Sequence, residues 1–101
     1  MSNIQNNSID RLFKTISALE DENECRAFFE DLCTIKEIQD MAQRLDTAVL
    51  LSKGYSYQKI ADEVKISTAT ICRVNRALNY GSDGYKKVIE KTAGKEKQNE
   101  N

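Results

Sequence analysis

From residue 57 to residue 78 the apolar side chains recur at the spacings of two short helices joined by a sharp turn. Ile60, Ala61 and Val64 share one face of the first, Ile71, Val74 and Leu78 share one face of the second, and Ile66 plugs the turn between them. The two faces can close on each other. A side chain longer than Ala61 would hold the helices apart at their crossing, and Ser67 can cap the second helix by accepting from backbone N–H groups a turn ahead. What is left outward on the second helix, Thr68, Ala69, Thr70, Arg73 and Arg76, is small, polar and basic. Hydroxyl and guanidinium groups reach base edges and phosphates while an alanine permits close approach, so residues 56–79 read as a helix-turn-helix suited to the major groove of DNA. A plain antiparallel helix pair with a wet outer face would leave the same pattern. Lys65 stands at the turn position where such motifs place a glycine with positive φ. It must either adopt that conformation at a strain of about 1 kcal/mol or force a longer, reshaped turn.

Charge distribution supports the nucleic-acid reading where total charge does not. The 101 residues carry 15 Lys plus Arg against 16 Asp plus Glu, a net of −1. Residues 1–52, however, hold five basic and ten acidic side chains, a net of −5, whereas residues 53–91 hold eight and four, a net of +4. The positive half contains the motif, as an electrostatic footprint on DNA requires. Cys25, Cys33 and Cys72 lack CxxC spacing and there is no His, so a zinc site has too few ligands, and buried or half-buried free thiols in a reducing cytosol are expected. No apolar run approaches the roughly 20 residues of a membrane span, and no secretion signal opens the chain, so a cytoplasmic location is expected.

Without proline or sustained period-two alternation, the chain reads as all-α, about six helices around a central helix-turn-helix. Ser8 is a candidate cap for a first helix with Ile9, Leu12, Phe13, Ile16 and Leu19 on one face. Asp21 or Asn23 can cap a second, which carries Cys25, Phe28, Phe29 and Leu32. Thr34 and Glu37 have the form of a capping box before a long third helix, with Ile38, Met41, Leu45, Ala48 and Leu51 inward and Gly54 just past its end. Ser56 and Ser67 open the motif helices, and Ser82 or Asp83 opens the sixth, which bears Tyr85, Val88 and Ile89. Residues 8–93 are expected to form one helical domain between a flexible N-terminus, 1–7, and a disordered polar tail, 94–101. The apolar stripe of the first two helices exceeds what a solvated appendage should carry, which favours dimerisation over burial within one chain.

The order of elements resembles the Trp repressor superfamily: a long helix ending at Leu50-Leu51-Ser52-Lys53-Gly54, then Ser56 to Val64, then Ala69-Thr70-Ile71-Cys72-Arg73-Val74-Asn75-Arg76-Ala77-Leu78. Within it, the chain is most similar to the YerC/YecD-like (TrpR-like) branch, over residues 12–91. The resemblance implies a Trp-repressor-like intertwined homodimer that binds operator DNA. It places Gln58 and Lys59 near the DNA backbone at the start of the first motif helix, and Ser67, Thr68, Ala69 and Thr70 at the tip that enters the groove. Arg44 and Arg73 match two arginines that sandwich a tryptophan co-repressor in the family prototype. The glycine that follows the second of these is Val74 here, and the small hydroxyl residue one turn later is Ala77. A branched side chain thus stands where an effector would need room, a polar contact is missing, and neither a tryptophan co-repressor nor another cofactor is expected.

Taken together, these residues predict a sequence-specific DNA-binding transcriptional regulator, a repressor acting as a homodimer on double-stranded DNA. The alternative is a helical protein-interaction module that has kept the helix-turn-helix shape without DNA binding. An enzyme is not expected, since there is no His, no phosphate-cradling Gly-rich loop and no nucleophile–base pair.

Overall fold

Four helix starts in this protein are set by short polar side chains that accept the first free backbone N–H groups. The computed structural model describes the backbone of residues 3–100 and the side chains of residues 6–93. Its helices are α1 (Asn3–Ser17), α2 (Glu22–Leu32), α3 (Ile35–Ser52), α4 (Tyr57–Ile60), α5 (Thr68–Tyr80) and α6 (Gly84–Glu100), with no strand among the described residues. Asp21 caps α2 by accepting from the Glu24 N–H at 2.9 Å. Before α3, Glu37 Oε1 accepts from the Thr34 N–H at 2.8 Å and Thr34 Oγ1 accepts from the Glu37 N–H at 3.1 Å, the reciprocal box expected from sequence. Ser56 and Ser67 cap α4 and α5, accepting from the N–H groups of Lys59 and Thr70, each at 3.2 Å. Each cap contributes about 1 kcal/mol. α3 ends at Gly54, whose φ of +88° lets the Gly54 and Tyr55 N–H groups fold back onto the carbonyls of Leu51 and Leu50.

Both termini differ from expectation. α1 begins at Asn3, ahead of Ser8, because no Gly or Pro intervenes to stop it; α6 runs to Glu100, through the segment expected to be disordered. A lone Gly94 costs a helix only about 1 kcal/mol, and the Lys, Glu and Gln around it favour helix. Met1, Ser2 and Asn101 lie outside the described residues.

Residues 8–93, read from sequence as one domain, divide into two compact units, Met1–Ile38 and Gln39–Asn101. Every buried side chain among the described residues belongs to the second: Thr47, Ala48, Ile60 and Ile71 are fully buried, Val74 and Leu78 nearly so. Ala61, Val64 and Ile66 half-bury beside them, as the spacing predicts. Thr47 satisfies its hydroxyl by donating to the Gln43 carbonyl at 2.8 Å. Leu45, expected inward, is exposed, because it lies roughly 110° around α3 from the line between Thr47 and Ala48. In the first unit Phe28 and Phe29 meet edge to face, centroids 5.6 Å apart, yet none of the described residues there is buried, and Phe13, Leu32 and Ile35 are exposed.

At the motif's turn, α4 continues without a break into one π-helical turn (Ala61–Lys65), and Lys65 then adopts φ +62°. Of the two ways open to a lysine there, the chain takes the strained one and keeps the tight turn. Lys65→Gly is therefore expected to raise stability by about 1 kcal/mol, or roughly 4–8 °C in Tm, in thermal unfolding followed by circular dichroism. An unchanged or lower Tm would mean the left-handed turn carries no strain.

Candidate nucleic-acid interface

The second motif helix, α5, is set by its own buried face. Ile71, Val74 and Leu78 anchor one side of α5 in the core, so the residues half a turn away must face solvent. Ala69, Arg73 and Arg76 lie on that opposite side, Thr68 stands at the first turn, and all four are exposed. Ser67 is exposed as well, but its oxygen is committed to the cap. On α4, Gln58 and Lys59 are exposed, and the Lys59 ammonium sits 5.0 Å from the centroid of the Tyr55 ring, a cation–π contact that restrains it. The motif thus gathers Gln58, Lys59, Thr68, Ala69, Arg73 and Arg76 as a free polar and basic surface on two short, capped helices.

Thr70 departs from the expected outward position. It is half-buried, its hydroxyl lies 3.0 Å from Ser67 Oγ, and it lines a cleft with Arg44, Arg73, Val74, Ala77 and Tyr85. One residue's rotation, 100° beyond Ala69, carries it from the solvent side to this flank. The four positions that the resemblance assigned to an effector pocket do converge there, in a volume of about 160 Å³. Sequence reasoning missed Tyr85 as a wall of it; the only signal was an aromatic directly after the turn ending at Gly84. Among the described residues neither Arg44 nor Arg73 has an ion-pair partner. Val74 is only 3 % exposed, so its methyl groups are seated in the core while bordering the cleft.

The three thiols are free, Cys25 and Cys33 half-buried. Cys72 was expected to be buried or half-buried and is exposed, because it follows Ile71 by one residue and so turns off the buried face. Among the described residues no group of His, Cys, Asp or Glu side chains could hold a metal ion. No described helix is long and apolar enough to cross a membrane.

The sequence profile of the Trp repressor protein matches residues 7–93, the whole of α2–α5 with most of α1 and part of α6. The chain belongs to the Trp repressor family. Within that family it falls in the TrpR-like branch of YerC, being 49 % identical over 88 residues to the uncharacterised protein YerC of Bacillus subtilis (strain 168), 87 % of this chain and 85 % of that one. A crystal structure of a TrpR-like protein from Eubacterium eligens ATCC 27750 superposes with a TM-score of 0.82 at 46 % identity, covering 86 % of this chain and 90 % of the other. A Trp repressor candidate from Staphylococcus aureus also gives 0.82, at 41 % identity and coverages of 92 % and 96 %. The all-α Trp repressor fold expected from the order of elements is therefore the fold of the chain, and its family is a regulatory one.

Proposed function

We infer that the protein is a sequence-specific DNA-binding transcriptional regulator, a repressor, acting in the cytoplasm as a homodimer on a palindromic operator. The observation that carries this reading is the two-sidedness of α5: Ile71, Val74 and Leu78 locked in the core, with Ala69, Arg73 and Arg76 free on the other side and Thr68 exposed at the first turn. Thr68 bonds a base edge or an ordered water, Ala69 allows close approach, and Lys59, Arg73 and Arg76 attract phosphates. A two-fold dimer sets its reading heads in successive major grooves, about 34 Å apart. Dimerisation is supported by the exposed Phe13, Leu32 and Ile35 of the first unit, and by the opposite charges of residues 1–52 and 53–91.

No co-repressor is part of this reading. The cleft of about 160 Å³ is smaller than the roughly 300–1,000 Å³ usual for small-molecule sites, and Val74 already supports the reading helix from its inner side. The test is to select genomic fragments with the purified protein, with and without a mixture of free amino acids that includes tryptophan. The expected result is one palindromic sequence enriched equally in both. Absence of any enriched sequence, with no DNA association at low salt, would point instead to an interaction module. Enrichment only with an amino acid present would show an effector-dependent switch.

A further inference from the structure

Among the described large hydrophobic side chains the most exposed is Tyr80, at 86 %, the last residue of α5. Its place on the helix is specific. At 100° per residue, Ala69, Arg73, Arg76 and Tyr80 fall within about 60° of one another, on the side opposite Ile71, Val74 and Leu78. Tyr80 therefore continues the line of the two free guanidinium groups. The backbone beneath it is firmly held. Asn79 Nδ2 donates to the carbonyl and to the Oδ1 of Asn75, at 2.9 and 3.0 Å, and the Gly81 N–H donates to the Ala77 carbonyl at 2.9 Å. A Cβ at residue 81 would collide with that same carbonyl oxygen, so only glycine lets the chain leave the helix at this point. Among the described residues the Tyr80 hydroxyl has no hydrogen-bond partner.

We propose that Tyr80 is a further DNA-contact residue, its phenol O–H donating to a backbone phosphate at the edge of the half-site. The inference rests on the reading of α5 as the DNA-reading helix. Tyr80 lies eleven positions beyond Ala69, about 16 Å along the helix axis, whereas the major groove is about 12 Å wide. With Thr68 and Ala69 at the groove floor, Tyr80 stands level with the flanking phosphates, beyond Arg73 and Arg76. A phenol suits that place, with an apolar ring for the sugar and a donor for the phosphate oxygen. The two cations on the same line favour a polyanion over a second copy of this positively charged face.

The full-length protein and its Tyr80→Phe and Tyr80→Ala variants would be titrated by fluorescence anisotropy against the selected operator and a random duplex across a salt series. Removal of one hydrogen bond from a neutral donor to a phosphate per protomer should weaken binding to both duplexes by a similar factor, about tenfold per protomer. The slope of log K against log salt should stay as in the parent, because a neutral donor displaces no counterion. Parent-like binding by both variants would overturn the role of Tyr80 and leave the DNA-reading role of α5 intact. A parent protein that binds neither duplex would remove both. A change of oligomeric state in sedimentation, with DNA affinity per dimer unaltered, would assign the face to a second copy and overturn the proposal as well.

Discussion

Ile71→Ala is expected to lower the unfolding free energy by about 2–5 kcal/mol, more than any other single truncation in α5. Ile71 is fully buried, and it stands with the equally buried Ile60 where the motif helices close on each other, so the missing methyl groups leave a cavity lined on several sides. Against a total of about 5–15 kcal/mol for a small domain, a loss of this size leaves a large unfolded fraction near physiological temperature. Urea unfolding followed by circular dichroism would measure it. A loss below about 1 kcal/mol would show that the helices can collapse around the deletion and that the core described above is looser than its burial implies.

The second large effect concerns affinity. On the proposed homodimer, Arg73→Ala combined with Arg76→Ala removes two cations per protomer and is expected to weaken binding about a hundredfold per protomer on operator and random DNA alike, taking a charged hydrogen bond as about tenfold. The salt slope should become shallower by about 0.9 for each phosphate that is no longer neutralised. Thr68→Ala should behave differently, eroding the operator-to-random ratio about tenfold while leaving the slope unchanged, because a hydroxyl at a base edge contributes discrimination and not charge. Equal losses on both DNAs from the threonine change would remove Thr68 from base reading. The arginines are exposed, so neither arginine change should disturb the fold.

Much of this architecture was legible because the chemistry that sets it is local. Asp21, the Thr34–Glu37 pair, Gly54, Ser56 and Ser67 act on backbone groups within a turn of themselves, and each does what its residue type suggests. Ile60, Ile71, Val74 and Leu78 were readable from spacing because two faces of such strong periodicity have one way to close. The misreadings are of another kind. Leu45 in place of Thr47, Thr70 as an outward residue and Cys72 as a buried or half-buried one are errors of one or two residues around a helix, where side-chain polarity is a poor guide to angle. Tyr85 reaches the cleft from a helix beyond a turn, which no local pattern reports. The apolar residues of the first unit were identified, but whether a stripe finds cover in its own chain is a tertiary fact absent from the pattern itself.

Among the described residues the buried side chains all fall between Thr47 and Leu78, a stretch of α3, α4 and α5 that is continuous in sequence. Loops closed within so short a span cost little entropy, and helical proteins dominated by such near-neighbour contacts fold in microseconds to milliseconds. In the proposed dimer the helix-turn-helix of each newly made chain should accordingly be in place before two chains meet. Meeting is a second-order event whose rate falls with protein concentration. If the protein is the dimeric repressor proposed above, then in a cell holding few copies the time needed to establish repression would be governed by how often two finished heads encounter one another.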